Sequence, residues 1–166
     1  MNLLKWTSRT LAMTSLAVLC GLQVSNAALP PFAFPDLDGK NHSQVEFEGK
    51  YVLLDVWATW CTTCRNVVEN VKALRKLPEA KDLAVVGISI DKGSPDKVKT
   101  FAKKMSIDWL LLLDPKNTMA PVLKYENVPA VFFYSPKGEL LGSMVGYDPA
   151  KEAELMALVK KTLSGK

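Results

Sequence analysis

Cysteine and histidine are scarce in this sequence. Its 166 residues include three cysteines, Cys20, Cys61 and Cys64, and a single histidine, His42. Cys20 falls in an N-terminal leader, so two thiols and one imidazole remain, one ligand short of the four that close a structural zinc site. Long apolar runs are missing too. The stretch 11–24 is broken by Thr14, Ser15, Gly21 and Gln23 and falls short of the roughly 20 residues that a spanning helix needs. Basic blocks are also absent. A net charge of +4, spread along the chain, does not indicate a nucleic-acid partner.

The leader has the anatomy of a secretory signal. Lys5 and Arg9 precede the apolar stretch, and Ser25-Asn26-Ala27 supplies small residues at a cleavage site, so residues 1–27 are expected to be removed. An uncleaved anchor is the competing reading. A lipid attached to Cys20 is disfavoured by the bulky Leu19 before it. Cleavage leaves one domain, residues 28–166, in which both remaining thiols sit in a single motif. Neither can then be spent on a long-range structural disulfide, which leaves a reactive couple or a small local staple. A domain of this size buries about two thirds of its unfolded surface without cross-links.

Periodicity outlines the fold. Residues 50–57 and 83–90 are dense in aliphatic side chains without alternation, as strands buried on both faces are. Between them Val67, Val68, Val71, Leu74 and Leu77 fall at helical spacing, and Pro78 stops the helix. Strand, helix, strand implies a right-handed parallel unit. A shorter repeat follows: Ser94-Pro95 opens a helix with Val98, Phe101, Ala102 and Met105 inward, and residues 108–113 form a strand. Asp114-Pro115 is expected to open another helical stretch, to about Tyr125 with Pro121 as an interruption. Residues 130–134 and 139–145, joined at Ser135-Pro136-Lys137-Gly138, read as an antiparallel hairpin. Asp148-Pro149 caps a last helix with Leu155, Leu158, Val159 and Met156 inward. At the other end, residues 29–34 read as an extended arm entering a short hairpin at the turn of Asp38-Gly39. The sum is an α/β sandwich around a mixed sheet.

The chemistry concentrates in Trp57-Ala58-Thr59-Trp60-Cys61-Thr62-Thr63-Cys64, which joins a strand to a helix. Unpaired N–H groups and positive partial charge at a helix start favour thiolate over thiol, which makes Cys61 the candidate nucleophile. Cys64, one turn on, is within reach of it and is the candidate resolving thiol. Asp55 lies on the preceding strand among apolar neighbours. Burial there is expected to raise its pKa.

The motif with both tryptophans, together with Val128-Pro129 before a strand, resembles the thioredoxin superfamily. Residues 94–113 resemble the insertion of its secreted TlpA/ResA branch, and Pro31-Phe32-Ala33-Phe34, Asp38-Gly39-Lys40 and Val86-Gly87-Ile88-Ser89 fit the same branch. The likeness spans residues 30–163. It implies a thioredoxin fold: a three-layer α/β/α sandwich with a mixed central sheet, an N-terminal hairpin and the inserted helix–strand segment. It further implies a redox-active Cys61–Cys64 disulfide, Asp55 as proton acceptor for Cys64, Trp60 as a flat surface for a partner, and Pro129 as a cis-proline. Val128 would then pair with an extended substrate segment.

The function implied is thiol-disulfide exchange with protein substrates, by a cofactor-free monomer acting as a reductant in the periplasm. Cytochrome c maturation or general thiol reduction is the expected task, with a membrane electron-transfer partner recycling the dithiol. Thr62-Thr63 departs from the proline-containing pair of that branch, and the helix after Cys64 lacks a kinking proline. A modestly lowered Cys61 pKa and a fairly reducing potential are the expectation.

Two other classes are open. A peroxiredoxin-like peroxidase would need proline and threonine upstream of its cysteine, where Cys61 has Leu54 and Ala58. A copper-binding protein would use the two thiols with His42, which the hairpin pattern places as an exposed residue. An isomerase would usually add a dimerisation domain, for which the chain has no room. Lys97, Lys99, Lys103 and Lys104 read as a solvated helix face, and Met119, Met144 and Met156 as core or rim fillers.

Overall fold

The computed structural model describes residues 29–165; the expected signal peptide and Cys20 lie outside them. Strands β3 (Tyr51–Trp57), β4 (Leu83–Ser89), β5 (Leu110–Leu113), β6 (Ala130–Tyr134) and β7 (Leu140–Val145) form one sheet in the order β5-β4-β3-β6-β7. β4 runs parallel to both β3 and β5, whereas β6 is antiparallel to both β3 and β7. The sheet is therefore mixed, with β3 at its centre.

Burial on both faces explains why β3 carries no polar alternation. Val52, Leu54 and Val56 pack on one side with Val86, Ile88, Leu112 and Phe132. Leu53 points the other way, with Val85, Val131 and Phe133, against helices α1 (Cys64–Arg75) and α4 (Pro149–Ser164). Val67, Val71 and Leu74 of α1 and Leu155, Met156 and Val159 of α4 fill that layer. Met119, Met144 and Met156 are all buried.

The inserted segment is α2 (Asp96–Lys104) followed by β5, and α2 buries Val98, Phe101 and Ala102. Its first hydrogen bond runs from Lys99 N–H to the Pro95 carbonyl at 2.9 Å, while Ser94 Oγ accepts from Asp96 N–H at 3.2 Å. The stretch expected as one helix from Asp114 is helical only as α3 (Met119–Leu123). Asp114 opens a tight turn instead, its carbonyl accepting from Asn117 N–H at 2.9 Å. Its carboxylate accepts from Met119 N–H at 2.9 Å and Thr118 Oγ1 at 3.0 Å, and Asn117 takes a positive φ of 54°. Pro121 lies in the first turn of α3, where a missing N–H costs no helical bond.

The N-terminal hairpin pairs β1 (Ala33–Pro35) with β2 (Asn41–Ser43) through a turn that Asp36 organises. Asp36 Oδ1 accepts from Asp38 N–H at 2.8 Å and Lys40 N–H at 2.9 Å, with Gly39 at φ +86°. His42 is not the exposed residue expected. It is 9% exposed, with Nδ1 2.9 Å from Glu46 Oε2 and Nε2 3.0 Å from Asp36 Oδ2. The turn folds Asp36 back over β2, a placement that local pattern does not disclose. Glu46 first and Asp36 second raise the pKa of His42. Among the described residues no helix is long and apolar enough to cross a membrane.

Candidate active site

β3 ends at Trp57 in the protein interior, so the chain leaves the sheet there and must turn before α1 begins. Cys61 N–H bonds to the Ala58 carbonyl at 3.1 Å, and Asn66 N–H to the Thr63 carbonyl at 3.1 Å, so turn and helix are continuous. Cys61 and Cys64 are joined by a disulfide, with S–S 2.06 Å and Cα–Cα 5.4 Å. Cys64 N–H points at Cys61 Sγ from 3.2 Å, and Thr63 Oγ1 lies 3.7 Å from the same sulfur. Once the disulfide opens, an amide and a hydroxyl face the Cys61 sulfur at a helix start. Both favour the thiolate.

The two sulfurs are not equivalent. Cys64 is fully enclosed and Cys61 is 5% exposed, so an incoming disulfide meets Cys61 first. Trp57 lies in the core, whereas Trp60 is 65% exposed beside Cys61. Val128 packs against the cluster that holds Trp57, Cys61 and Cys64. The Val128–Pro129 bond is cis, and Pro129 offers its carbonyl to Gly146 N–H at 2.9 Å, which ties it to the end of β7.

Asp55 is 1% exposed on β3, and the chain alternation puts it on the α1/α4 side with Leu53 and Trp57. Its register partners are Gly87 on β4 and Val131 on β6. Burial, and secondly the negative charge of Glu152, push its pKa up to about 7. Gly87 is what keeps room here. A Cβ at that position would come 2.6 Å from Leu111 Cδ2 and 3.0 Å from Trp57 Nε1.

Two residues escaped the sequence reading. Asp91, just past β4, accepts from Thr59 N–H and Thr59 Oγ1, each at 2.7 Å, from Ser89 Oγ at 2.9 Å and from Lys97 Nζ at 3.1 Å. Burial works to raise its pKa, but the bonds from Thr59, Lys97 and Ser89 prevail and hold it below the usual carboxylate value. An acid closing an apolar strand, at the sheet edge that carries the motif, was the available signal. Lys97 accordingly does more than decorate a solvated face. Glu152, 3% exposed in the first turn of α4, is the other; its place in the stripe of Leu155, Met156 and Val159 was the sign.

The alternative chemistries find little here. Leu54 and Ala58, at the positions where a peroxidase needs proline and threonine, are buried and carry no polar group. His42 is engaged by Asp36 and Glu46. Among the described residues no group of three or more His, Cys, Asp or Glu is arranged to hold a metal ion.

Comparison with known proteins bears on the same geometry. The sequence model of the AhpC/TSA family matches residues 25–142. Thioredoxin-like protein YneN of Bacillus subtilis is 33% identical over 138 residues, which cover 81% of this chain and 78% of YneN. Thiol-disulfide oxidoreductase ResA of Geobacillus thermodenitrificans is 22% identical over 118 residues, covering 70% of this chain and 67% of ResA. Among solved structures, a thiol-disulfide oxidoreductase from Bacteroides fragilis superposes with a TM-score of 0.66 at 27% identity, covering 79% of this chain and 98% of that one.

Proposed function

The chain belongs to the AhpC/TSA family and is a thioredoxin-fold thiol-disulfide oxidoreductase, and from that premise we propose that it works as a protein-disulfide reductant outside the cytoplasm. The observation that carries the proposal is the Cys61–Cys64 couple at the start of α1, with Cys64 N–H aimed at Cys61 Sγ. The Cys61 thiolate attacks a substrate disulfide and forms a mixed disulfide, releasing one substrate thiolate. Cys64 then gives its proton to Asp55 and attacks Cys61 Sγ. The bond to substrate breaks, its electron pair leaves on the second substrate sulfur, and the Cys61–Cys64 bond forms. Two electrons pass from the enzyme to the substrate.

Residue roles follow from placement. Trp60 offers an exposed aromatic face beside Cys61, and Val128 with Pro129 supplies backbone next to the disulfide for an extended segment of substrate. The leader over residues 1–27 supports a periplasmic location, where a thiol reductant requires a membrane electron-transfer partner to restore its dithiol. Reduction of disulfides in apocytochrome c, or in other extracytoplasmic proteins, fits the resemblance to the TlpA/ResA branch. A monomer is sufficient for this chemistry.

The reduction potential of the couple, equilibrated against glutathione or dithiothreitol, tests the direction. Thr62-Thr63 supplies no positive charge to stabilise the thiolate, so the value is expected near that of thioredoxin, about −270 mV. A value near about −120 mV would make the protein a disulfide donor and reverse the proposal.

A further inference from the structure

Three buried side-chain atoms have no hydrogen-bond partner among the described residues: Asp55 Oδ1, Glu152 Oε1 and Trp109 Nε1. Two of them belong to acids on the same side of the sheet. Asp55 shares its face with Leu53 and Trp57, and Glu152 continues the stripe of α4 that packs there. Burying a carboxylate with an oxygen left unpaired is costly, so two such acids in one layer call for a reason.

Helix capping is not that reason. Asp148 already caps α4, its Oδ1 accepting from Ala150 N–H at 2.9 Å and Lys151 N–H at 3.3 Å, and Glu152 lies beyond the capping positions. Nor, among the described residues, does a cation pair with either acid: Lys72 and Arg75 of α1 pair with Glu69 and Asp108. Cys64 is the titratable group that α1 buries, while Gly87 of β4, Leu111 of β5, Val131 of β6 and Met144 of β7 contribute none. The charge that acts on Asp55 is that of Glu152.

We propose that Glu152 is a positioning residue for the resolving step: its carboxylate, buried in the same layer as Asp55, strengthens Asp55 as the base toward Cys64. This rests on the reading of Asp55 as the proton acceptor. A negative charge confined near Asp55 in low dielectric favours its protonated form, so the Asp55 carboxylate binds a proton more avidly than it would alone. In the mixed disulfide, the Asp55 carboxylate takes the proton of the Cys64 thiol. The Cys64 thiolate attacks Cys61 Sγ, and the substrate thiolate leaves. The proton returns to solvent before the next turnover.

The test is single-turnover reduction of insulin by the fully reduced protein at saturating insulin, followed by tryptophan fluorescence from pH 5 to 9. Glu152→Gln is expected to move the rate inflection to lower pH by roughly one unit and to lower the plateau several-fold. Glu152→Asp, which keeps the charge, is expected to restore most of both. In an Asp55→Asn background Glu152→Gln is expected to change nothing. An inflection and plateau equal to those of the wild type in Glu152→Gln would overturn the proposal, as would an undiminished effect of Glu152→Gln in the Asp55→Asn background. If Asp55→Asn by itself leaves the profile unchanged, the proton-acceptor reading fails first. A changed Asp55→Asn profile beside an unchanged Glu152→Gln profile isolates the failure to Glu152.

Discussion

Asp91 accepts both hydrogen bonds that Thr59 has to give, from the backbone N–H and from Oγ1, each at 2.7 Å. Thr59 is two residues before Cys61, the proposed nucleophile, and Asp91 is anchored in turn by Ser89 at the end of β4 and by Lys97 at the start of α2. The inserted helix is thus wired to the loop that presents Cys61. Thirty-two residues of sequence separate the two ends of that bond.

Asp91→Asn keeps the shape but gives up the charge that gathers these donors. The variant is expected to lose about 1–3 kcal/mol of stability and to slow disulfide exchange. Thr59→Ala, which keeps the backbone bond, is expected to lose about 1 kcal/mol. Thermal melts of the oxidised forms and insulin reduction rates check both, and a melt of Asp91→Asn matching the wild type would contradict the anchoring role.

The folded-state pKa of Asp55, about 7, lies above its ordinary value of 3.8. Its stabilising contribution is therefore present in full below about pH 3.8 and is lost as pH rises through about 7. Asp55→Asn is expected to be more stable than the wild type at pH 8, by a few kcal/mol, with little difference at pH 4. Resolution of the mixed disulfide at pH 7 is expected to fall about a hundredfold. Denaturant melts across pH and single-turnover kinetics measure the two effects separately.

His42 behaves in the opposite sense to a buried neutral imidazole. Glu46 and Asp36 raise its pKa, so its contribution is full below its ordinary value of 6.5 and is lost as pH rises through the folded value. The pKa values of Asp36 and Glu46 are both lowered, chiefly by His42, so their share is present above 3.8 and 4.5 and lost in more acid solution. His42→Gln is expected to lower the melting temperature more at pH 5.5 than at pH 9. Equal losses at the two pH values would mean that the imidazolium does not hold the hairpin.

Gly87→Ala tests the space beside Asp55. The added Cβ meets the flexible end of Leu111, which can yield, and the Trp57 indole, which is packed in the core. A loss of about 1–3 kcal/mol and a changed tryptophan emission are expected. A variant as stable as the wild type would show that the room at Gly87 is not needed.

What could be read from the sequence was what depends on short range. The strand–helix alternation, the hairpin at residues 130–145, the capping Asp148 and the two thiols at a helix start all follow from periodicity and local chemistry. Trp57 inside and Trp60 outside follow from one strand end and one turn. The segment after Asp114 shows where this stops, since a side chain that accepts from Met119 N–H trades a helical turn for a loop.

The sequence by itself determined the fold class and the candidate reacting pair, because unbroken aliphatic runs, a period of 3.6 residues and a two-thiol spacing are properties of neighbouring positions. Only the tertiary structure decided which acids surround that pair. Asp91 reaches Thr59 through the pairing of β3 with β4, Glu152 joins the layer of Asp55 because α4 packs across the sheet, and His42 is buried because a turn returns Asp36 to it. The first two placements are fixed by strand register and helix docking, and the third by the path of a turn, none of which a periodic pattern encodes.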